Sequence, residues 1–202
     1  MIQITLSQEL KKSVDLFNSL LEAPRTLDQV TTIVDTMLNA LKNGKKILFC
    51  GNGGSAADAQ HLAAEFISRF AFDRPALNAI ALTVDTSALT AIANDYSYDY
   101  VFARQVEALA NPGDIVVGIS TSGRSKNVLA AMKTAKEKQA ITVGFLGQDG
   151  SDIGKITDYQ LNIPSHETPK IQEGHITIGH IICAIIERKL FNAYAQPPAH
   201  SY

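Results

Sequence analysis

Tryptophan is absent from the 202-residue chain, and cysteine occurs only twice. Cys50 and Cys183 make no CxxC pair and no disulfide framework, so a reducing compartment is expected. Neither sign of charge dominates: 18 Lys and Arg stand against 20 Asp and Glu, for a formal net charge of −2, and the basic residues are scattered. That leaves no electrostatic footprint for direct contact with nucleic acid or an anionic membrane. The start, from Met1 to Leu6, lacks a basic segment leading into a long apolar run, and the longest apolar stretch, 176–186, is broken by His180. Neither export nor membrane insertion is expected, and a cytoplasmic location follows. Repeats, linkers and low-complexity segments are also missing. With 46% hydrophobic residues the chain has enough apolar side chains for a proper core, and its length suits one domain spanning 1–202.

What is present is alternation. Short, near-continuous apolar runs at 46–50, 79–83, 115–119, 141–146 and 159–163 have the pattern of strands buried on both faces. Helical patterns at 55–70, 86–94, 98–110 and 125–137 separate them. Parallel neighbours need crossover connections, so the order predicts an α/β fold: a single-domain three-layer αβα sandwich around a five-stranded parallel sheet. Two helices, 6–21 and 26–43, precede it as an N-terminal helical hairpin, parted by Pro24 and ended by Gly44. Thr26-Leu27-Asp28-Gln29 has the spacing of a capping box. The hairpin is long and amphipathic enough to seek another subunit. A last helix, 171–194, carries an apolar stripe broad enough to be buried on most sides, and the tail from Gln196 is expected to fray.

Two loops stand out, Cys50-Gly51-Asn52-Gly53-Gly54-Ser55 and Ser120-Thr121-Ser122-Gly123-Arg124-Ser125. Each follows a predicted strand and opens a helix, where backbone N–H groups and hydroxyls meet the positive end of a helix dipole. Either loop alone is equally well a tight βα turn. Together they suit a phosphorylated, hydroxyl-rich ligand.

On the first crossover helix His61 and Glu65 are four residues apart and share a face, with Arg69 one turn on. Their neighbours Leu62, Ala63, Ala64, Phe66 and Ile67 leave little solvent-facing arc, which favours a cleft or interface over a solvated ladder. The last helix adds Gln172, Glu173, His175 and His180. A lone histidine in an apolar helix is more often a core residue than a ligand. Taken with His61 and Glu65, however, Gln172 and His180 complete a set that could bind Zn²⁺ or transfer protons. Gln is an unusual zinc ligand, so acid–base chemistry is the stronger reading. His166, His175 and His200 have the look of surface or structural residues. Asn94 and Asp95 close a short helix where strand carboxyl ends gather, suited to sugar hydroxyls or to an ordinary Asx turn.

Rival motifs fall short. Residues 51–56 satisfy G-x-G-x-x-A, yet no strand ends in an acidic residue about 20 positions on. No Gly-Lys-Ser or Gly-Lys-Thr completes a Walker A loop, and 118–122 has Ser122 where a nucleophile elbow needs its second Gly.

In combination, residues 50–61, 64–70, 93–96, 118–123 and 169–175 resemble the phosphoheptose isomerases of the sugar isomerase (SIS) fold, over nearly the whole chain. The resemblance implies a homotetrameric, zinc-binding enzyme, the zinc either catalytic or organising, that takes sedoheptulose 7-phosphate to D-glycero-D-manno-heptose 7-phosphate, a step in heptose biosynthesis toward lipopolysaccharide or capsule precursors. It puts the phosphosugar on Asn52, Gly53, Gly54, Asn94, Asp95, Ser120, Thr121, Ser122, Ser125 and Gln172. It puts one zinc per subunit on His61, Glu65, Gln172 and His180. Related SIS proteins are instead homotetrameric adaptors for the replication initiator DnaA; they lack the counterparts of Glu65 and His180, which this chain has.

The reading that follows is an aldose–ketose isomerase with Glu65 as base and His180 as second acid/base. A carboxylate held by zinc is a weaker base than a free one, so the two roles of Glu65 compete. Gln172 and His180 would lie about 12 Å apart along one straight helix, at about 1.5 Å per residue. A site shared between subunits, or Gln172 at or before the helix start, is therefore expected.

Overall fold

A computed structural model describes residues 1–148 and 151–191. Five parallel strands, β1 (Ile47–Gly51), β2 (Ala79–Ala81), β3 (Ile115–Ser120), β4 (Ile141–Leu146) and β5 (Tyr159–Asn162), form one sheet in the order β2-β1-β3-β4-β5. The strands alternate between two cores, as period-2 geometry requires. Ile47 and Phe49 point to one side with Val117 and Ile119, while Leu48 and Cys50 point to the other with Val116. Helices α1 (Ile2–Leu21), α2 (Pro24–Lys42), α3 (Gly54–Ile67) and α7 (Thr168–Phe191) cover the first side. Helices α5 (Ala103–Leu109) and α6 (Lys126–Glu137) pack on the second, with α4 (Thr86–Asp95) and a 3₁₀ turn, Tyr98–Tyr100, leading into them. This is the expected αβα sandwich.

Differences are local and have physical causes. The second helix begins at Pro24, whose fixed φ suits the first helical position, so Thr26 is buried inside the first turn and caps nothing. The 98–110 helix divides at the 3₁₀ turn, where the Ser97 hydroxyl accepts from Asp99 N–H. The edge strand β5 is buried only at Leu161, whereas β2, at the other edge, is three residues long with Ala79 and Ala81 buried. The last helix is buried on one face rather than most: Ile171, Ile182 and Ile186 are inside, whereas Ile181 is 43% exposed. Positions 192–194 and the tail from Gln196 lie outside the described residues. Among the described residues no helix is long and apolar enough to cross a membrane.

In the order 2-1-3, the chain leaves β1 toward one edge and β3 toward the other. The carboxyl ends of β1 and β3 therefore flank the crevice where open parallel sheets bind ligands. Both glycine- and serine-rich loops emerge there.

Candidate active site

Helix α3 starts directly after the first loop, with Gly53 at its N-cap, and its face toward α7 carries Asp58, His61 and Glu65 at intervals of three and four. Helix α7 comes close at Gly179, where an added Cβ would sit 2.7 Å from a Leu62 methyl. That backbone approach sets His180 against α3. His61 Nε2 lies 2.8 Å from His180 Nε2 and 3.3 Å from Glu65 Oε1, and the two rings meet edge-on with centroids 4.9 Å apart. One ligand atom from each of His61, Glu65 and His180 falls within 4.8 Å of the others. A single chain thus brings all three together, and this trio needs no residue from another subunit.

Gln172 takes a different position from the one expected. It sits inside α7, four residues past Thr168 rather than at or before the helix start, and its amide donates to Asp58 Oδ1 at 3.3 Å. It also lies over Gly54, where an added Cβ would collide with the Gln172 amide. Asp58 was not singled out in the sequence, although its spacing of three before His61 puts it on the same face. Its side chain is buried, its Oδ2 has no partner among the described residues, and burial raises its pKa, opposed by the Gln172 bond and by the His61 and His180 rings. Arg69, by contrast, lies beyond the end of α3 at Ile67 and does not extend the His61–Glu65 face.

The second loop closes on itself. Ser120 Oγ is 3.0 Å from Ser125 Oγ and accepts from Gly123 N–H, while Ser122 Oγ accepts from Arg124 N–H. Ser125 is the N-cap of α6, yet its side chain makes no cap bond, so the positive helix end stands behind a cluster of hydroxyls. Asn52 ties the loops together: its amide and that of Asn127 bond reciprocally at 2.8 and 2.9 Å, and Tyr98 OH donates to Asn52 Oδ1. Asn94 and Asp95 bond to each other at the end of α4. Asp95 lines a hollow of about 380 Å³ with Asp85, Tyr96 and Arg104, into which neither the histidine pair nor the serine loop reaches.

Nucleophilic alternatives are weak. Burial pushes the Cys50 and Cys183 thiols up to about 12, far from thiolate at neutral pH. His175 is structural as expected: it is fully buried, and its Nε2–H donates to Leu146 O at 3.0 Å. His166 is exposed, and His200 lies outside the described residues.

Residues 11–147 match the family model of the SIS domain. A phosphoheptose isomerase of Clostridium acetobutylicum is 52% identical over 186 residues, covering 92% of this chain and 95% of that protein. One of Burkholderia pseudomallei is 53% identical over 173 residues, covering 86% and 88%. The structure of phosphoheptose isomerase from Neisseria gonorrhoeae superposes with a TM-score of 0.87 at 42% identity, covering 93% of this chain and 99% of that one. With more than nine-tenths of the chain matched in sequence and in fold, the chain belongs to the phosphoheptose isomerase family of SIS-domain proteins and is an isomerase.

Proposed function

We propose that this chain interconverts sedoheptulose 7-phosphate and D-glycero-D-manno-heptose 7-phosphate through an enediolate. The observation that carries the proposal is the meeting of Glu65 with the His61–His180 pair. Ser120, Thr121, Ser122 and Ser125, with the N-terminus of α6, hold the phosphate, and Asn52, Gly53, Gly54 and Gln172 supply sugar contacts, while Asn94 and Asp95, the second of which lines a separate hollow of the same chain, would meet the sugar from a neighbouring subunit. Glu65 removes the proton from the carbon beside the carbonyl, and His180 moves a proton at the substrate oxygens or the neighbouring carbon. Incubation with sedoheptulose 7-phosphate, followed by NMR, tests this directly: aldose signals support it, and a spectrum unchanged at high enzyme concentration overturns it.

The donor set fits a zinc ion. Two ligands of a tetrahedral zinc stand roughly 3.3 Å apart at Zn–N lengths of about 2.0–2.1 Å. The 3.3 Å between His61 and Glu65 already meets that spacing, and the 2.8 Å between the two imidazole nitrogens needs a small parting. His61, Glu65 and His180 would hold the ion, and Gln172, eight residues before His180 on α7, is bonded to Asp58 instead. When bound, zinc supplies electrophilic stabilisation of negative oxygen charge. Protein purified without chelators should carry about one zinc per chain, and His61→Ala should lower the occupancy, both read by elemental analysis. Absence of metal, together with activity that survives prolonged chelation, would sink the assignment.

We also read the chain as one domain that assembles as a homotetramer. In α1 only Leu16 and Leu20 are buried, while Ile2, Ile4, Leu6, Leu10 and Val14 are each more than half exposed, and α4 buries nothing. Bare apolar faces of this extent are characteristic of association surfaces. Light scattering should give four chain masses, and a monomer at micromolar concentration would refute the assembly.

A further inference from the structure

Below the proposed site lies a buried ionic knot. Arg74 and Glu187 side chains are 2% and 1% exposed, and Arg74 Nε donates to Glu187 Oε1 at 3.0 Å. The two residues reach opposite sides of the site. Arg74 donates through its remaining nitrogens to the carbonyls of Glu65 and Phe66, both at 2.7 Å, and so caps the C-terminal turn of α3 where a cation is electrostatically favoured. Glu187 accepts from Phe70 N–H at 2.8 Å and Ala71 N–H at 2.7 Å. Glu187 stands seven residues after His180 on α7, two turns along nearly the same face. Phe70, whose backbone Glu187 holds, places its ring 5.8 Å from the His180 ring.

A buried ion pair is poor evidence of a stability device, since apolar residues of similar volume often stabilise as well or better. Apolar packing cannot, however, supply directed bonds to two carbonyls of α3 and two N–H groups of the segment that follows. We propose that Arg74 and Glu187 are positioning residues for the isomerase: as one clamp between α3 and α7 they set the separation and orientation of Glu65 and His180. The inference rests on the reading that these two groups transfer the protons.

Arg74→Lys keeps the charge facing Glu187 but loses the fork that reaches Glu65 and Phe66; Glu187→Gln keeps the shape but presents an N–H₂ to a ring of donors. At a temperature where circular dichroism shows full folding, each should lower kcat by about tenfold to a hundredfold, as sub-ångström misplacement does. KM should stay within about twofold. The His180 ring signal in ¹H–¹³C NMR should shift in both variants. Ile186→Val, a buried truncation on the same helix, serves as the stability control and should leave kcat and the ring signal unchanged. Should Glu187→Gln not fold, Arg74→Lys decides. A folded Arg74→Lys with wild-type kcat and an unmoved His180 signal overturns the clamp, as does an equal kcat loss in Ile186→Val. Turnover surviving in Glu65→Gln would instead overturn the site assignment, and this inference with it.

Discussion

Glu65→Gln and His180→Ala are each expected to lower kcat by on the order of 10²- to 10⁴-fold, the contribution of one positioned proton-transfer group. Neither change should unfold the protein. Both side chains are only partly buried, and neither belongs to the apolar core between α3 and the sheet. Gln at 65 keeps the volume and one acceptor oxygen while removing the base. Ala at 180 removes an imidazole whose polar partner is His61. Substrate binding should suffer less than rate, because the phosphate is assigned to the hydroxyl loop at Ser120–Ser125, a separate segment. Steady-state kinetics at saturating substrate, with thermal melts as the folding check, decide the matter. Near wild-type kcat in either variant would remove that residue from the mechanism.

The second large effect is on stability and comes from His175. Burial holds its imidazole at about 4, against an ordinary value of 6.5. Above pH 6.5 the ring is neutral in both folded and unfolded chains, and the protein has its full stability. As pH falls from 6.5 toward about 4, the unfolded chain takes up a proton that the folded chain refuses, and stability drops by about 3 kcal/mol in total. Asp114 and Asp158 act in a lower window: lysine partners and backbone N–H groups hold their carboxyls below 3.8, so their share disappears only as pH falls through their folded-state values. Urea unfolding at pH 7 and pH 4.5 measures the first window. His175→Gln, which can still donate to Leu146 O but does not titrate, should lose most of the difference. A wild-type protein as stable at pH 4.5 as at pH 7 would contradict the buried neutral imidazole.

Much of the fold was legible because its signals are local. The runs at 47–51, 115–120 and 141–146 are near-continuous apolar segments, and only strands covered on both faces tolerate that pattern. The edge strand β2 and the helix starts were less legible. Whether 79–83 pairs along its whole length depends on having a neighbour on each side, and whether Thr26 or Pro24 opens the second helix depends on which residue the chain enters first.

The site divides in the same manner. The amino-acid order put His61 and Glu65 on one face, since a helical period fixes that relation whatever the surroundings. It also marked the two loops, because only glycine- and hydroxyl-rich turns leave their backbone open to a phosphate. Periodicity says nothing about distances between elements. Only the packing of α7 onto α3 at Gly179 brought His180 within 2.8 Å of His61, buried Asp58 under Gln172, and closed Arg74 and Glu187 into a knot 113 residues long in the chain. Those contacts join residues whose separation in sequence carries no signal, so the tertiary structure alone decided them.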